Sequence, residues 1–220
     1  MIKAVIFDMD GVLIDSERHW QLTERALLRE LGIELTDELL VETRGLRTEE
    51  MVKHWQSRFN LDGIDQAELM RQYDARMIKT MESEVPMMDG AEDALKFFKA
   101  KRLPIALATC STSAHIDAAL DKHQLKHYFD LFVSAADQMQ GKPHPEVYLH
   151  TAEKMGVEPI YCLAIEDSFF GVIAAKAARM KVVAMPDPEE FDQSRYGAAD
   201  LKIRSLRELD NSAYEMLQLK

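Results

Sequence analysis

What most constrains this chain is a set of five short, nearly all-apolar runs, four of which end on polar groups suited to chemistry. The runs are Lys3–Phe7, Pro104–Ala108, Leu131–Val133, Tyr161–Ile165 and Lys181–Met185. Strands that alternate apolar and polar residues leave one face to water, whereas unbroken apolar runs belong to strands covered on both faces. Helical stretches separate the runs. Asp89-Gly90 leads into a face built from Ala91, Ala94, Leu95 and Phe98, while Pro145 opens a later helix and Gly156 closes it. Short buried strands alternating with helices predict parallel βαβ units, hence an α/β protein with a Rossmann-like parallel sheet.

One stretch breaks the alternation. From Ser16 to Ser83 no strand is expected, only helical stripes: Trp20, Leu27, Leu28 and Leu31 ended by Gly32; Met51, Val52, Trp55 and Phe59 behind Thr48 as N-cap; and Leu69, Met70, Tyr73, Met77 and Met81. An all-helical block inserted after the first strand reads as a cap. The predicted division is therefore residues 1–15 with 84–220 as the α/β core and 16–83 as the helical cap.

Composition narrows the function. Hydrophobic residues make up 47% of the chain, enough for a packed core. Twenty-seven basic against 38 acidic residues give a net charge of −11, which repels nucleic acid and anionic membrane surfaces. No apolar run approaches the ~20 residues needed to span a bilayer, and acids interrupt the N-terminal run too early for a secretory signal. Cys110 and Cys162 are the only cysteines; each lies in or beside an apolar run, so both read as buried free thiols. A cytoplasmic monomer with neither nucleic acid nor membrane as partner is expected.

Polar residues stand at four strand ends. Asp8 and Asp10 follow the first run, Thr109, Cys110 and Ser111 the second, Lys142 the third, and Glu166 and Asp167 the fourth. In an open parallel sheet ligands bind beyond the carboxyl ends of the strands, so these groups are expected in one crevice. Carboxylates gathered there repel one another unless a cation intervenes, and a hard-oxygen donor set suits Mg2+. A lysine and a hydroxyl beside such an ion suit a phosphate dianion. On extended backbone Asp8 and Asp10 point the same way. One can attack phosphorus while the other moves the proton of the leaving alkoxide and of the attacking water. Taken singly, Asp-x-Asp-Gly reads as a turn, Lys142 as a surface lysine and Glu166-Asp167 as a helix start; it is their company that points to phosphoryl transfer.

Together, Asp8-Met9-Asp10-Gly11, Thr109, Lys142-Pro143 and Glu166-Asp167 resemble the four ordered motifs of the haloacid dehalogenase superfamily. The helical insert is similar to its C1-type cap. Within the superfamily the chain resembles the β-phosphoglucomutase-like branch and is similar to the hexitol and 2-deoxyglucose-6-phosphate phosphatases. The resemblance implies that Asp8 is the nucleophile and a Mg2+ ligand. Asp10 would be the acid and base, touching the metal through its carbonyl. Asp167 would be the second carboxylate ligand, and Glu166 would hold metal-bound water. Thr109, the Cys110 N–H and Lys142 would bind the phosphoryl group. Arg44-Gly45-Leu46-Arg47 resembles a substrate-specificity loop, which would set Arg47 or Arg44 against sugar hydroxyls or a second anion. The branch's phosphomutases carry a histidine where Trp20 stands, whereas here His19 lies one place earlier. That departure argues against a mutase and leaves Trp20 as a staple of the cap hinge or a wall against the sugar ring. The expected activity is a Mg2+-dependent phosphatase of a small sugar or sugar-alcohol phosphate, working through an aspartyl-phosphate. The alternative is a β-phosphoglucomutase-like phosphomutase. A dehalogenase would have no use for Asp10 and the metal carboxylates, and a non-catalytic sensor no use for the complete set.

Overall fold

The computed structural model describes residues 1–219. Strands β1 (Ala4–Phe7), β2 (Ile105–Thr109), β3 (Leu131–Ser134), β4 (Cys162–Glu166), β5 (Lys181–Ala184) and β6 (Leu201–Lys202) form one parallel sheet in the order β3-β2-β1-β4-β5-β6. The five predicted runs are the first five strands, shifted by a residue at some ends. The sixth was not expected, because two half-buried residues carry no apolar run to reveal it. The strand order reverses between β1 and β4, and the register brings chemistry level there. Phe7 pairs with Leu107 and with Ile165, so Asp8 emerges beside Ala108 and Glu166.

Alternate strand residues feed two cores. Val5, Phe7, Leu107, Leu163 and Ile165 pack with Leu95, Phe98 and Leu217 on one face. Ala4, Ile6, Ala106, Ala108, Cys162 and Ala164 pack with Tyr148 and Val172 on the other. The small residues on that second face let the helices that carry Tyr148 and Val172 approach the sheet closely.

In chain order, β1 is followed by helices α1 (Glu17–Glu30), α2 (Asp37–Leu40), α3 (Thr48–Phe59) and α4 (Gln66–Ser83). After them come α5 (Ala91–Ala100), α6 (Ser113–Lys122), α7 (Glu146–Met155), α8 (Phe169–Ala177) and α9 (Asn211–Leu219). The inserted helices have a hydrophobic cluster of their own, including Leu27, Leu28, Val52, Trp55, Leu69 and Tyr73. Helix α4 spans both regions. Its Leu69 and Tyr73 join that cluster, while Met77 and Met81 are buried with the sheet-side core, which makes these methionines packing residues. Two chain segments connect the insert to the sheet side by side, tied by Asp15 N–H to Pro86 O (2.9 Å) and Met88 N–H to Leu13 O (2.9 Å).

Helix punctuation follows the sequence with one exception. Pro145 precedes α7 and Gly156 ends it at φ +65°. Thr48, expected as an N-cap, is instead the first residue of α3. Its hydroxyl donates to Asp74 (3.0 Å), and Glu50 reaches back to the Arg47 N–H (3.2 Å). Both cysteines are free thiols, with Cys162 buried and Cys110 only half-buried. No helix among the described residues is long and apolar enough to cross a membrane.

Candidate active site

The strand ends bring the expected groups together. Lys142 Nζ lies 3.0 Å from Asp8 Oδ1, 2.5 Å from Glu166 Oε1 and 3.3 Å from the Ala108 carbonyl. Burial works against the ammonium, yet Asp8 and Glu166 outweigh it and hold its pKa well above the usual lysine value. Lys142 is therefore a buried, permanently charged group rather than a surface lysine. Glu166 is fully buried beneath it. The same Oε1 accepts from the Tyr148 hydroxyl (2.6 Å), and Oε2 from the Ser168 N–H (3.3 Å) and Oγ (3.2 Å). Its clearest structural work is thus to anchor Lys142. Gly171 makes room for it, since a Cβ there would overlap the Glu166 carboxylate. Gly11, at φ +70°, similarly leaves space that a Cβ would take from the Asp167 carboxylate.

Asp10 has a different environment. Oδ1 accepts from Ser16 Oγ (2.6 Å) and Trp20 Nε1 (2.7 Å), and Oδ2 from Ser111 Oγ (2.7 Å) and, at the limit of a hydrogen bond, Thr109 Oγ1 (3.4 Å). Trp20 is neither simply a staple nor simply a wall: its indole edge holds the carboxylate, while its ring lies against Tyr73 (5.5 Å) and edge-on to His115 (5.1 Å). Cys110 lines the same cavity, and burial pushes its thiol up to about 11, which keeps it neutral beside the acids.

Asp8, Asp10, Trp20, Thr109, Ser111, Lys142 and Asp167 line this cavity of about 840 Å³, its open mouth included, closed on the far side by α1, the 43–48 segment and α4. Of the two candidate arginines, Arg44 lines it and Arg47 does not. Arg47 instead pairs with Glu50 (2.8 Å) and donates to the carbonyls of Gln138 (3.1 Å) and Ala135 (3.4 Å), joining the start of α3 to the segment before Lys142. The expectation that set Arg47 against substrate has this physical correction: three acceptors outside the cavity hold its guanidinium. Arg44 is itself occupied, by Glu17 (3.2 Å), Glu190 (3.0 Å) and Asp187 (3.8 Å).

Sequence reasoning placed Ser111 in the crevice without a role of its own and assigned none to Ser16, Tyr148 or Glu24. Glu24 did leave a signal, as an acid inside the apolar stripe that holds Leu27 and Leu28. It is buried, with Oε1 accepting from Thr43 Oγ1 (2.7 Å) and Trp55 Nε1. Burial raises its pKa above the ordinary glutamate value, against those two bonds. Tyr148 left none, because a tyrosine one turn into a buried helix looks like core.

The donor set fits a hard divalent cation. One oxygen each of Asp8, Glu166 and Asp167 lies within 4.8 Å of the others. Burial pushes Asp8 up to about 7; Lys142 opposes this, while Glu166 and Asp10 add to it. Burial, then Glu166 and Asp8, likewise push Asp167 well above the carboxylate range. A single lysine does not keep this group ionised together; a further cation among oxygen ligands does.

The model of the haloacid dehalogenase-like hydrolases matches residues 5–185. The chain belongs to that family. This haloacid dehalogenase-like hydrolase is 39% identical over 209 residues to hexitol phosphatase B of Escherichia coli strain K12, covering 94% of each chain. It is 33% identical over 185 residues to the fructose-1-phosphate phosphatase of the same strain, covering 82% of this chain and 94% of that one. Its fold matches the crystal structure of β-phosphoglucomutase from Clostridium difficile with a TM-score of 0.88, at 24% identity, over 100% of this chain and 98% of that one. The hydrolase thus has the α/β fold of the β-phosphoglucomutase-like branch.

Proposed function

We propose that this hydrolase removes the phosphate from a small sugar or sugar-alcohol monophosphate through an aspartyl-phosphate on Asp8. It is a phosphoric monoester hydrolase, a reading that the phosphatase relatives at 39% and 33% identity support. The observation that carries the reading is the split between two carboxylates from one strand end. Asp8 sits against the Lys142 ammonium and the acidic cluster, and Asp10 against hydroxyls and an indole. Two acids placed in such different surroundings suit different tasks.

Asp8 and Asp167 would hold Mg2+, with Asp10 through its carbonyl and Glu166 through water. When bound, the ion supplies the positive charge that lets a phosphate dianion approach these carboxylates. Lys142 neutralises charge on the phosphoryl oxygens, and the Thr109 hydroxyl and Cys110 N–H orient them. The Asp8 carboxylate attacks phosphorus, forming the acyl-phosphate bond as the ester P–O bond breaks. Asp10 gives its proton to the departing alkoxide and then takes one from the water that hydrolyses the acyl-phosphate. Trp20 decides where that proton sits. Nε1–H can only donate, so a neutral Asp10 carries its proton on Oδ2, where the Ser111 and Thr109 hydroxyls can turn to accept.

Phosphate release from a panel of hexose, hexitol and nucleotide monophosphates, with Mg2+ and with EDTA, tests this. Metal-dependent release concentrated on hexose or hexitol phosphates is expected. Interconversion of glucose phosphates without free phosphate would replace the reading with a phosphomutase.

A further inference from the structure

The wall of the cavity opposite the strand ends is built from one face of α1. Glu17, Trp20, Gln21 and Glu24 all line the cavity, at the spacing of neighbours on a helix surface. Trp20 reaches Asp10, and Glu24 stands one turn farther, about 6 Å along the axis at ~1.5 Å per residue. A chain of a few carbons attached to the phosphate covers that distance. Glu24 is 5% exposed. Its Oε1 is taken by Thr43 and Trp55, while Oε2 accepts no hydrogen bond from any described residue. That oxygen keeps some surface open to the cavity that Glu24 lines, and a ligand hydroxyl entering there can donate to it.

The charges around it sharpen the choice. Arg44 is the one arginine lining the cavity among the described residues, and Glu17, Glu190 and Asp187 already surround it. Glu17 and Glu24 leave the rest of this wall acidic. A second phosphate or a carboxylate at the far end of a substrate would lose its water here and find no unengaged cation.

We infer that Glu24 is a specificity-determining residue: it accepts a hydrogen bond from a hydroxyl of a neutral polyol chain and excludes substrates that carry a second anion there. The assignment rests on the phosphatase reading above. Glu24→Gln separates the two halves of the argument, because it keeps an acceptor for Thr43 and Trp55 and can present an amide donor to the cavity.

The test compares kcat/KM for a hexitol monophosphate with that for the hexitol 1,6-bisphosphate, in wild type and in Glu24→Gln. Wild type should favour the monophosphate at least tenfold, and the variant should lose at least tenfold of that preference, in part by turning over the bisphosphate better. A gain on the bisphosphate cannot come from a damaged fold. An unchanged ratio in a variant that still hydrolyses p-nitrophenyl phosphate overturns the inference. Should the variant not fold, calorimetry on otherwise unaltered Asp8→Asn protein decides, and bisphosphate binding as tight as monophosphate binding overturns it. Failure of wild type with Mg2+ to hydrolyse p-nitrophenyl phosphate would reject the phosphatase reading instead, and the calorimetry would still judge Glu24.

Discussion

Trp20→Phe isolates one bond in the proposed acid–base machinery. Phenylalanine keeps an aromatic ring between Tyr73 and His115 and removes only the Nε1–H that lies 2.7 Å from Asp10 Oδ1. The bond gains strength as Asp10 gives up its proton and becomes anionic, so its worth falls in the transition state rather than in the bound ground state. A hydrogen bond to a charged group contributes about 1.5–3 kcal/mol, which at about 1.36 kcal/mol per tenfold corresponds to roughly 10- to 150-fold in rate. Ser16, Ser111 and Thr109 still hold Asp10 in the variant, which places the expected loss toward the lower end. Steady-state kcat should be measured on a hexitol phosphate and on p-nitrophenyl phosphate, whose leaving group scarcely needs a proton. The alkyl substrate should lose about tenfold or more and the aryl substrate less than about threefold. Equal losses on both would refute the reasoning, since Trp20 would then shape the cavity without touching proton transfer.

Four further outcomes are expected. Asp8→Asn, nearly isosteric, should abolish release of phosphate and leave the circular dichroism spectrum of the folded protein; a folded variant with near-normal turnover would exclude Asp8 as nucleophile. Gly171→Ala forces Glu166 aside, and overpacking of ~1–3 kcal/mol at ~2–4 °C per kcal/mol lowers Tm by about 2–12 °C; kcat should fall with it as Lys142 loses its anchor, and an unshifted Tm would show that the helix yields freely. Arg47→Ala should raise KM severalfold and speed amide exchange over residues 135–142, because it cuts the contacts to Ala135 and Gln138; unaltered exchange would show that Arg47 does not hold that segment. In EDTA, stability should fall as pH rises from about 4 to 7, because Asp8 titrates near 7 when folded against an ordinary 3.8, so the native state binds more protons across that window. Melting curves should show Mg2+ flattening the decline and Asp8→Asn removing part of it; an identical slope in Asp8→Asn would assign the effect to other groups.

The sequence disclosed what depends on chain-local chemistry. Unbroken apolar runs marked β1 to β5, and polar residues at their ends marked the crevice, because parallel strands deliver their termini to one edge. What escaped depends on contacts distant in sequence. Arg44 and Arg47 are three residues apart and alike in type, yet one turns to the cavity and the other to carbonyls of residues 135 and 138, a choice that only the packing of α3 against that segment makes. Glu166 read only as a holder of metal-bound water beside Asp167. Its burial under Lys142 and Tyr148 requires Gly171 in α8 and Tyr148 in α7, 5 and 18 residues away. Trp20 looked ambiguous because its indole N–H has a use only once Asp10 is known to lie within reach.

Helix α1 joins these readings. It starts just past the paired crossing segments at Asp15 and Pro86, and one turn separates the residue that holds the proposed acid from the residue proposed to read the substrate. A rigid helix cannot place Glu24 against a substrate hydroxyl without also placing Trp20 against Asp10. Contact between substrate and Glu24 is thereby coupled to the position of the acid about 6 Å away. A substrate that leaves Glu24 unmet is therefore expected to lose kcat as well as affinity, since binding energy from its non-reacting end helps hold the reacting end in order. That coupling gives a reason for a carboxylate in the wall of an already acidic cavity, where Thr43 and Trp55 also depend on it as their acceptor.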